Sequence, residues 1–293
     1  MKLRFYTLDV FAEEKYAGNQ LAVFRAGDIP DALMQKIARE MNYSETTFIV
    51  REETRNGGYD VRIFTPEKEV PFAGHPTLGT AYVIQREIVR EPVEKVILNL
   101  KVGRIPVTFE YSGAEVSRLW MKQNRPVFGR IFDALQVSLA LNLDMGDLDD
   151  RFPIQEVSTG LPFIMVPLKN LDALKRAHVS RDRYFDLIRD TDAKAIFVFC
   201  PESHSGKNDS SARLFADYYG VPEDPATGSA NGCLAGYAVK YRYWGEGRIE
   251  KRVEQGYEIG RPSLLYLRAE EIAGGIDVNV GGSVLMVAKG EFV

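Results

Sequence analysis

The chain has 293 residues, of which 45% are hydrophobic and 27% are charged, and its net charge is −4. This length suits two domains of about 150 residues, and this composition is that of a globular protein and not of a disordered one. No basic stripe that would favour nucleic acid gathers along any segment, and no apolar run approaches the ~20 residues of a membrane span.

The elements predicted for the first half alternate between strands and helices. A strand in "MKLRFYTLDVF" is followed by a turn at "YAGNQ" and a second strand, "LAVFR". Residues 31–41 carry the apolar stripe of an amphipathic helix, for which Asp31 after Pro30 is the predicted N-cap. Further elements are predicted as strands around 46–51 and 59–66, a small-residue helix from about Pro76 to Gln85, and strands near 94–101, 104–111 and 116–122.

The second half contains a segment that resembles one in the first. Strands are predicted at "FIMVPL" and "AIFVFC", and a helix at "RDRYFDLIRD". The stretch "RIFTPEKEVPFAGHPTLGTAYVI" from Arg62 resembles "RLFADYYGVPEDPATGSANGCLAGYAV" from Arg213. Both contain an Arg, a Phe, a short loop with Pro, a glycine-led polar corner and a helix of small and apolar residues. This pattern predicts two related halves.

The two glycine-led corners are candidate anion sites. A helix that begins Gly-His-Pro-Thr or Gly-Ser-Ala-Asn exposes backbone N–H groups without bulky side chains around them. Such helix ends can bind a substrate carboxylate through peptide dipoles. No lysine of a nucleotide-binding loop follows either corner, so the pattern does not favour a nucleoside triphosphate.

Three ionisable side chains near these corners are candidates for acid/base chemistry. His75 lies in the first corner, and Asp224 precedes Gly228 and Ser229 in the second. Glu45 begins a strand of otherwise apolar and β-branched residues, and burial there would raise the pKa of its carboxyl so that it carries a proton at neutral pH. Each also has a purely structural interpretation, as a hydrogen-bonding histidine, a turn former and an edge charge.

Six stretches, in order along the chain, resemble the phenazine-biosynthesis PhzF-like family. They are "GNQLAVF", "NYSETTFI", "PFAGHPTLGTA", "EDPATGSANG", "QGYEIGRPS" and "VGGSVLMVAKGEF". The resemblance implies an α+β fold similar to diaminopimelate epimerase, in which two pseudo-symmetric domains, each a mixed or antiparallel sheet or barrel around a central helix, face each other across the active cleft. We expect one domain at 1–118, joined by the last strand at about 279–293, and the other at 119–278.

The resemblance also implies a function and a set of site residues. We expect a cofactor-independent isomerase for a small carboxylate-bearing metabolite, such as a dihydro-hydroxyanthranilate, in which Glu45 shuttles the proton. His75 and Asp224 complete the catalytic set. The expected substrate-binding residues are Asn19, Gly74, Gly228, Ser229 and Ala230. Family members are commonly homodimers, and the N-terminus lacks the pattern of a signal peptide, so we expect a cytoplasmic homodimer.

Other readings remain open. An epimerase or a lyase could use the same glutamate, and a non-catalytic homologue could bind a small molecule without turnover. A two-thiol racemase is disfavoured because the first corner holds no cysteine, and Cys200 and Cys233 lie in apolar or small-residue stretches that favour packed, reduced thiols. The three histidines show no metal-site spacing.

Overall fold

The structure, a computed structural model, describes residues 2–293. These residues form two compact units: the chain up to Lys122 together with Gly281–Val293, and Gln123–Val280. No helix in the described chain is long and apolar enough to cross a membrane. The domain boundaries expected from the sequence remain a prediction.

The strands and helices follow one another along the chain as listed here. The strands of residues 2–293 are β1 (Leu3–Val10), β2 (Asn19–Arg25), β3 (Glu45–Ile49), β4 (Tyr59–Phe64), β5 (Glu69–Val70), β6 (Lys95–Leu100), β7 (Gly103–Ser112), β8 (Glu115–Lys122), β9 (Val127–Ile131), β10 (Gln155–Ser158), β11 (Pro162–Pro167), β12 (Ile196–Cys200), β13 (Ser210–Ala216), β14 (Val221–Asp224), β15 (Arg248–Gln255), β16 (Ser263–Ile272), β17 (Gly275–Gly282) and β18 (Val284–Phe292). The α-helices are α1 (Asp31–Met41), α2 (Gly74–Val83), α3 (Ala134–Ala140), α4 (Leu171–Arg176), α5 (Arg181–Ile188) and α6 (Gly228–Tyr241).

The first unit is a mixed sheet around α2. Strand β1 pairs antiparallel with β2 and β18, β2 pairs parallel with β3, and β3 pairs antiparallel with β4. Strand β4 pairs antiparallel with β5 and parallel with β6, which leads into the antiparallel strands β7 and β8. Helix α2 is buried from His75 to Val83 and contacts β1, β2, β3, β6, β7, β8 and β18. A helix of small and apolar residues on all sides can fill such a centre.

The second unit repeats this connectivity around α6. Strand β10 pairs antiparallel with β9 and β11, β11 pairs parallel with β12, and β12 pairs antiparallel with β13. Strand β13 pairs antiparallel with β14 and parallel with β15, which pairs antiparallel with β16. Helix α6 contacts β10, β11, β15 and β16. The predicted fold, two related α+β halves with a central helix each, is confirmed.

An arginine–glutamate pair occupies the same place in both units. Arg62 of β4 donates to both carboxylate oxygens of Glu69, at 2.9 and 2.8 Å. Arg213 of β13 does the same to Glu223, at 3.0 and 2.8 Å. These pairs align the two units residue by residue, as the sequence repeat from Arg62 and from Arg213 predicts.

Two local predictions need correction. Pro30 is the N-cap of α1, and no side chain caps the helix. Asp31 is the first helical residue, and its carboxylate instead accepts a hydrogen bond of 3.0 Å from Arg62. Helix α2 begins at Gly74, two residues before the predicted start. Proline is tolerated in the first turn of a helix, so Pro76 lies inside this turn and does not have to be its first residue.

Candidate functional site

The first unit brings Glu45 and His75 together. Glu45 is the first residue of β3, and His75 is the second residue of α2. Their side chains are 19% and 7% exposed, and Glu45 Oε2 lies 3.5 Å from His75 Nε2. Two of the three predicted catalytic residues therefore meet within one unit.

This meeting follows from how α2 packs on the sheet. Glu45 lies opposite Leu21 in the parallel pair of β2 and β3. A Cβ at Gly79 of α2 would lie 2.5 Å from Leu21 Cδ2, so glycine permits the close approach of helix and strand. The hydroxyls of Thr47 and Thr80 are joined by a buried hydrogen bond of 2.8 Å, which fixes α2 along β3.

Burial keeps the His75 imidazole neutral. Desolvation lowers the pKa of His75 to about 3, although a hydrogen bond to the backbone of Gln20 acts in the opposite direction. The contact with Glu45 is therefore not an ion pair at neutral pH. A neutral imidazole can donate through one ring nitrogen and accept through the other, which suits it to orient a carboxyl group or a substrate.

Two of the predicted substrate-binding residues lie in the same unit. Asn19 is the first residue of β2, is 2% exposed and precedes Gln20, whose backbone binds His75. Gly74 is the first residue of α2 and follows Ala73, the N-cap, and no side chain caps this helix.

The second unit carries the remaining predicted residues around the start of α6. Asp224 is the last residue of β14, and its Oδ2 accepts a hydrogen bond from the hydroxyl of Thr227. Gly228, Ser229 and Ala230 form the first turn of α6, whose N-cap Thr227 makes no side-chain capping bond. Gly228 and Ala230 are buried, whereas Asp224 and Ser229 are partly exposed.

Strand register shows that Glu45 has an apolar counterpart. Thr46 lies opposite Phe64 of β4, and Ile196 lies opposite the matching phenylalanine of β13. Thr46 and Ile196 therefore match, and so do the residues that precede them, Glu45 and Ala195. A buried alanine thus occupies in the second unit the place that glutamate occupies in the first.

Asp224 likewise has an apolar counterpart. Asp224 lies opposite Leu214 in the pair of β13 and β14. Val70 lies opposite Ile63 in the equivalent pair of β4 and β5. The two units thus share their architecture but differ in the chemistry of the side chains at matching positions.

The matched positions divide the predicted groups into two sets. His75 and Ser229 are each the second residue of a central helix. The first unit therefore combines a carboxyl with an imidazole, Glu45 with His75. The second combines a carboxylate with a hydroxyl, Asp224 with Ser229. The sequence already assigns His75 to the first corner and Asp224 and Ser229 to the second, whereas the contact of Glu45 with His75 depends on which strands pair.

The cysteines are buried thiols, as predicted. Cys200 and Cys233 are free, and both are fully buried. Burial raises the pKa of Cys200 to about 11 and that of Cys233 to about 12. Because the thiolate is the reactive form, neither is suited to attack a substrate. Within residues 2–293, no group of three or more His, Cys, Asp or Glu side chains could hold a metal ion.

Comparison with known proteins places the chain in a family. The model of the family PhzC-PhzF, described as phenazine biosynthesis-like protein, matches residues 8–290. The chain belongs to this family. It is 35% identical over 289 residues, 98% of each chain, to the trans-2,3-dihydro-3-hydroxyanthranilate isomerase of Pseudomonas aeruginosa. It is 36% identical over 296 residues, 99% of each chain, to the protein of the same name from Pseudomonas fluorescens.

Solved structures agree with this assignment. The PhzF-family phenazine biosynthesis protein of Bacillus anthracis matches with a TM-score of 0.90 and 25% identity, over 100% of this chain and 99% of that one. A probable proline racemase from Agrobacterium radiobacter matches with a TM-score of 0.63 at 10% identity, over 99% and 93% of the two chains, which shows a shared fold alone. The expectation of a PhzF-like isomerase is confirmed by these relatives.

Proposed function

We propose that the protein is a cofactor-independent isomerase that moves a proton between two carbons of a small carboxylate-bearing metabolite similar to dihydro-hydroxyanthranilate. The names and the identity of the two Pseudomonas relatives support this substrate class. The observation that carries the chemistry is the contact of 3.5 Å between the shielded Glu45 carboxyl and the neutral His75 imidazole.

The proposed reaction needs one group that both accepts and returns a proton. The Glu45 carboxylate takes a proton from one substrate carbon, and the resulting carboxylic acid returns it to another carbon, so that no atom is gained or lost. Partial burial of Glu45 removes part of its hydration, which suits proton exchange near neutral pH. His75 orients the carboxyl group, because a neutral ring held by the Gln20 backbone has a fixed position.

The other predicted residues bind the substrate in this proposal. Asp224, Ser229 and Asn19 hydrogen-bond its polar groups, and backbone N–H groups around Gly74 and at 228–230 bind its carboxylate. The absence of capping side chains at the start of α2 and α6 supports the second role, since a capped helix end has fewer N–H groups to offer.

The decisive experiment uses trans-2,3-dihydro-3-hydroxyanthranilate in deuterated water. We expect the unmodified protein to convert it, with deuterium at the carbon that receives the proton in those turnovers in which the Glu45 acid exchanges with the solvent before it returns the proton. Glu45→Gln keeps the shape of the side chain and should lower turnover by about 100-fold or more. Asp224→Asn should mainly raise KM. Glu115→Gln is the matched control, because Glu115 is an exposed carboxylate of the same unit, and should leave turnover unchanged.

The outcomes separate the alternatives. Inversion at a labelled carbon without a double-bond shift would indicate an epimerase, and loss of a substituent would indicate a lyase, each with the same Glu45 dependence. Binding without conversion of any small carboxylate tested would indicate a binding protein. Turnover near the normal rate in Glu45→Gln would contradict the role of this glutamate.

We further propose that the protein is a homodimer, as the family resemblance implies, and that it is cytoplasmic. Light scattering of the purified chain should give twice its mass of 33.0 kDa. A monomer that retains full turnover would contradict the dimer without affecting the proposed chemistry.

A further inference from the structure

The segment "QGYEIGRPS", residues 255–263, has no role in the reaction proposed above. Its first residue, Gln255, ends β15, is 1% exposed and reaches the corner that holds Asp224. Gln255 Nε2 donates to the backbone oxygen of Asp224 at 2.9 Å and to Thr227 Oγ1 at 3.2 Å. Gln255 Oε1 accepts from the backbone N–H of Thr227 at 3.2 Å and from Asn231 Nδ2 at 2.9 Å. Both polar atoms of this buried side-chain amide are therefore hydrogen-bonded to residues 224–231, the segment that leads into α6.

These bonds form a chain with one direction. A threonine hydroxyl has a single proton, and that of Thr227 is donated to Asp224 Oδ2. Thr227 must then accept the bond from Gln255 Nε2, which in turn leaves Gln255 Oε1 to accept from Thr227 N–H and from Asn231. We call this chain, Gln255 to Thr227 to Asp224, the carboxylate relay. It restricts the rotation of the Asp224 carboxylate and directs a donor at it.

The backbone next to Gln255 is shaped to allow this contact. Gly256 has a φ of +78°, and a Cβ at this position would lie 2.6 Å from the carbonyl oxygen of Pro225. Glycine therefore lets the segment pass directly against the loop that follows Asp224. The neighbouring ionisable groups are themselves paired: Glu223 with Arg213, at 2.8 Å, and Glu258 with His204, at 2.8 Å.

The first unit shows which of these bonds the fold itself needs. In the first unit, Thr77 Oγ1 donates to the backbone oxygen of Ala73, the N-cap of α2, at 2.7 Å. In the second unit, Asn231 Nδ2 donates to the backbone oxygen of Thr227, the N-cap of α6, at 3.1 Å. This bond is present in both units and belongs to the architecture of a central helix.

The relay, by contrast, is replaced by apolar residues in the first unit. Ala73 is the N-cap of α2, as Thr227 is of α6, and Val70 takes the place of Asp224. Leu100 takes the place of Gln255.

The last match follows from strand register. Gln255 comes two residues after Val253, which pairs with the first residue of β13. Leu100 comes two residues after Leu98, which pairs with the first residue of β4. All three members of the relay thus change together, so the fold forms without them where no carboxylate is present.

We propose that Thr227 and Gln255 are positioning residues that hold the Asp224 carboxylate ionised and in one orientation. This rests on the proposed function, in which Asp224 binds the polar groups of the substrate. Neither residue needs to touch the substrate for this role.

The first test measures the Asp224 carboxyl directly and needs no substrate. In protein labelled with carbon-13 at the aspartate carboxyl groups, the Asp224 signal is assigned by its loss in Asp224→Asn, and its titration is followed by NMR. We expect Thr227→Val to raise the titration midpoint by about one pH unit, since a hydrogen bond to a charged group is lost. Thr227→Ser should restore the midpoint, because it keeps the hydroxyl.

The second test uses turnover of trans-2,3-dihydro-3-hydroxyanthranilate. We expect Thr227→Val to lower kcat/KM about ten-fold, and Thr227→Ser to stay within about three-fold of the unmodified protein. The control is Thr191→Val in the same unit, because Thr191 is buried and its hydroxyl lies within hydrogen-bond distance of two carbonyl oxygens, those of Ile188 and Ala193, and not of a carboxylate. It should leave both the midpoint and kcat/KM unchanged.

The two tests distinguish failure of the proposed function from failure of the carboxylate relay. If the unmodified protein does not convert the substrate, the proposed function fails, and the titration still decides the role of Thr227. An unmoved midpoint in Thr227→Val, or an equal shift in Thr191→Val, would overturn the relay even if turnover is normal. Should Thr227→Val not fold, Thr227→Ala and Gln255→Leu introduce the residues that the first unit carries at these places, and the same results are expected and decisive.

Discussion

The buried imidazole of His75 should make the first unit sensitive to acid. In the folded chain the pKa of His75 is lowered to about 3 by burial, from 6.5 for an exposed imidazole. Below pH 6.5 the unfolded chain binds a proton that the folded chain does not bind. The stability associated with the neutral ring is therefore fully present above about pH 6.5 and is lost as the pH falls towards 3.

The size of this effect follows from the pKa difference. At pH 5 the unfolded imidazole is protonated and the folded one is not, so linkage over 1.5 pH units gives about 2 kcal/mol of lost unfolding free energy. Glu45 Oε2 lies 3.5 Å from the ring, and when ionised it favours the imidazolium. The figure of about 2 kcal/mol is therefore an upper value.

The assay is urea unfolding at pH 7 and pH 5 in a Trp244→Phe background. The chain has two tryptophans, and Trp120 then reports on the unit that contains His75. Between the two pH values, the unfolding free energy of the parent should fall by up to about 2 kcal/mol more than that of His75→Gln. His178→Gln, which changes an exposed histidine, should behave as the parent does.

Equal pH dependence in the parent and in His75→Gln would refute this reasoning. It would mean that His75 takes up its proton in the folded chain near neutral pH, so that the contact with Glu45 is an ion pair. The role of His75 as a neutral orienting group in the proposed reaction would then have to be abandoned.

Two further predictions concern stability. Arg213→Gln should lower the unfolding free energy by about 3–5 kcal/mol, because it leaves the Glu223 carboxylate, which is only 10% exposed, without its ion pair. Arg62→Gln should cost about 1 kcal/mol, because Arg62 is 24% exposed and Glu69 keeps its ion pair with Lys101 at 2.6 Å. Similar losses of the two variants in urea unfolding would contradict this reasoning. Gly256→Ala should cost about 3 kcal/mol, because its Cβ would meet backbone atoms at 2.5 and 2.6 Å, and Gly245→Ala, with a φ of +82° and open space, should cost about 1 kcal/mol, so equal thermal shifts would argue against the close contact.

Much of the fold could be predicted from local patterns. The strands and helices predicted from periodicity begin and end within about two residues of the observed elements. Alternation in strands and the apolar stripe of a helix are local properties of the chain, so they can be recognised without the tertiary structure. The repeat from Arg62 and from Arg213 predicted two related halves, and the shared arginine–glutamate pairs agree with it. The predicted N-cap of α1, Asp31, was wrong. Its carboxylate instead contacts Arg62, which is distant in sequence, and a local pattern does not show such a contact.

The candidate site was likewise predicted in part from the sequence and settled in part only by tertiary contacts. The sequence by itself determined the family, through six motifs, and it singled out Glu45, His75 and Asp224 by residue type and neighbourhood. The tertiary structure decided that Glu45 and His75 touch, because that contact depends on the parallel pairing of β2 with β3 and on the packing of α2.

Tertiary structure also decided which residues of the second half occupy the positions that match Glu45 and Asp224. Strand register places Ala195 where the first unit has Glu45, and it brings Gln255 next to Thr227, which in turn donates to Asp224. The alternation within one strand predicts which of its faces is buried, but which residue of a strand far away in the chain lies opposite is decided only when the two strands pair.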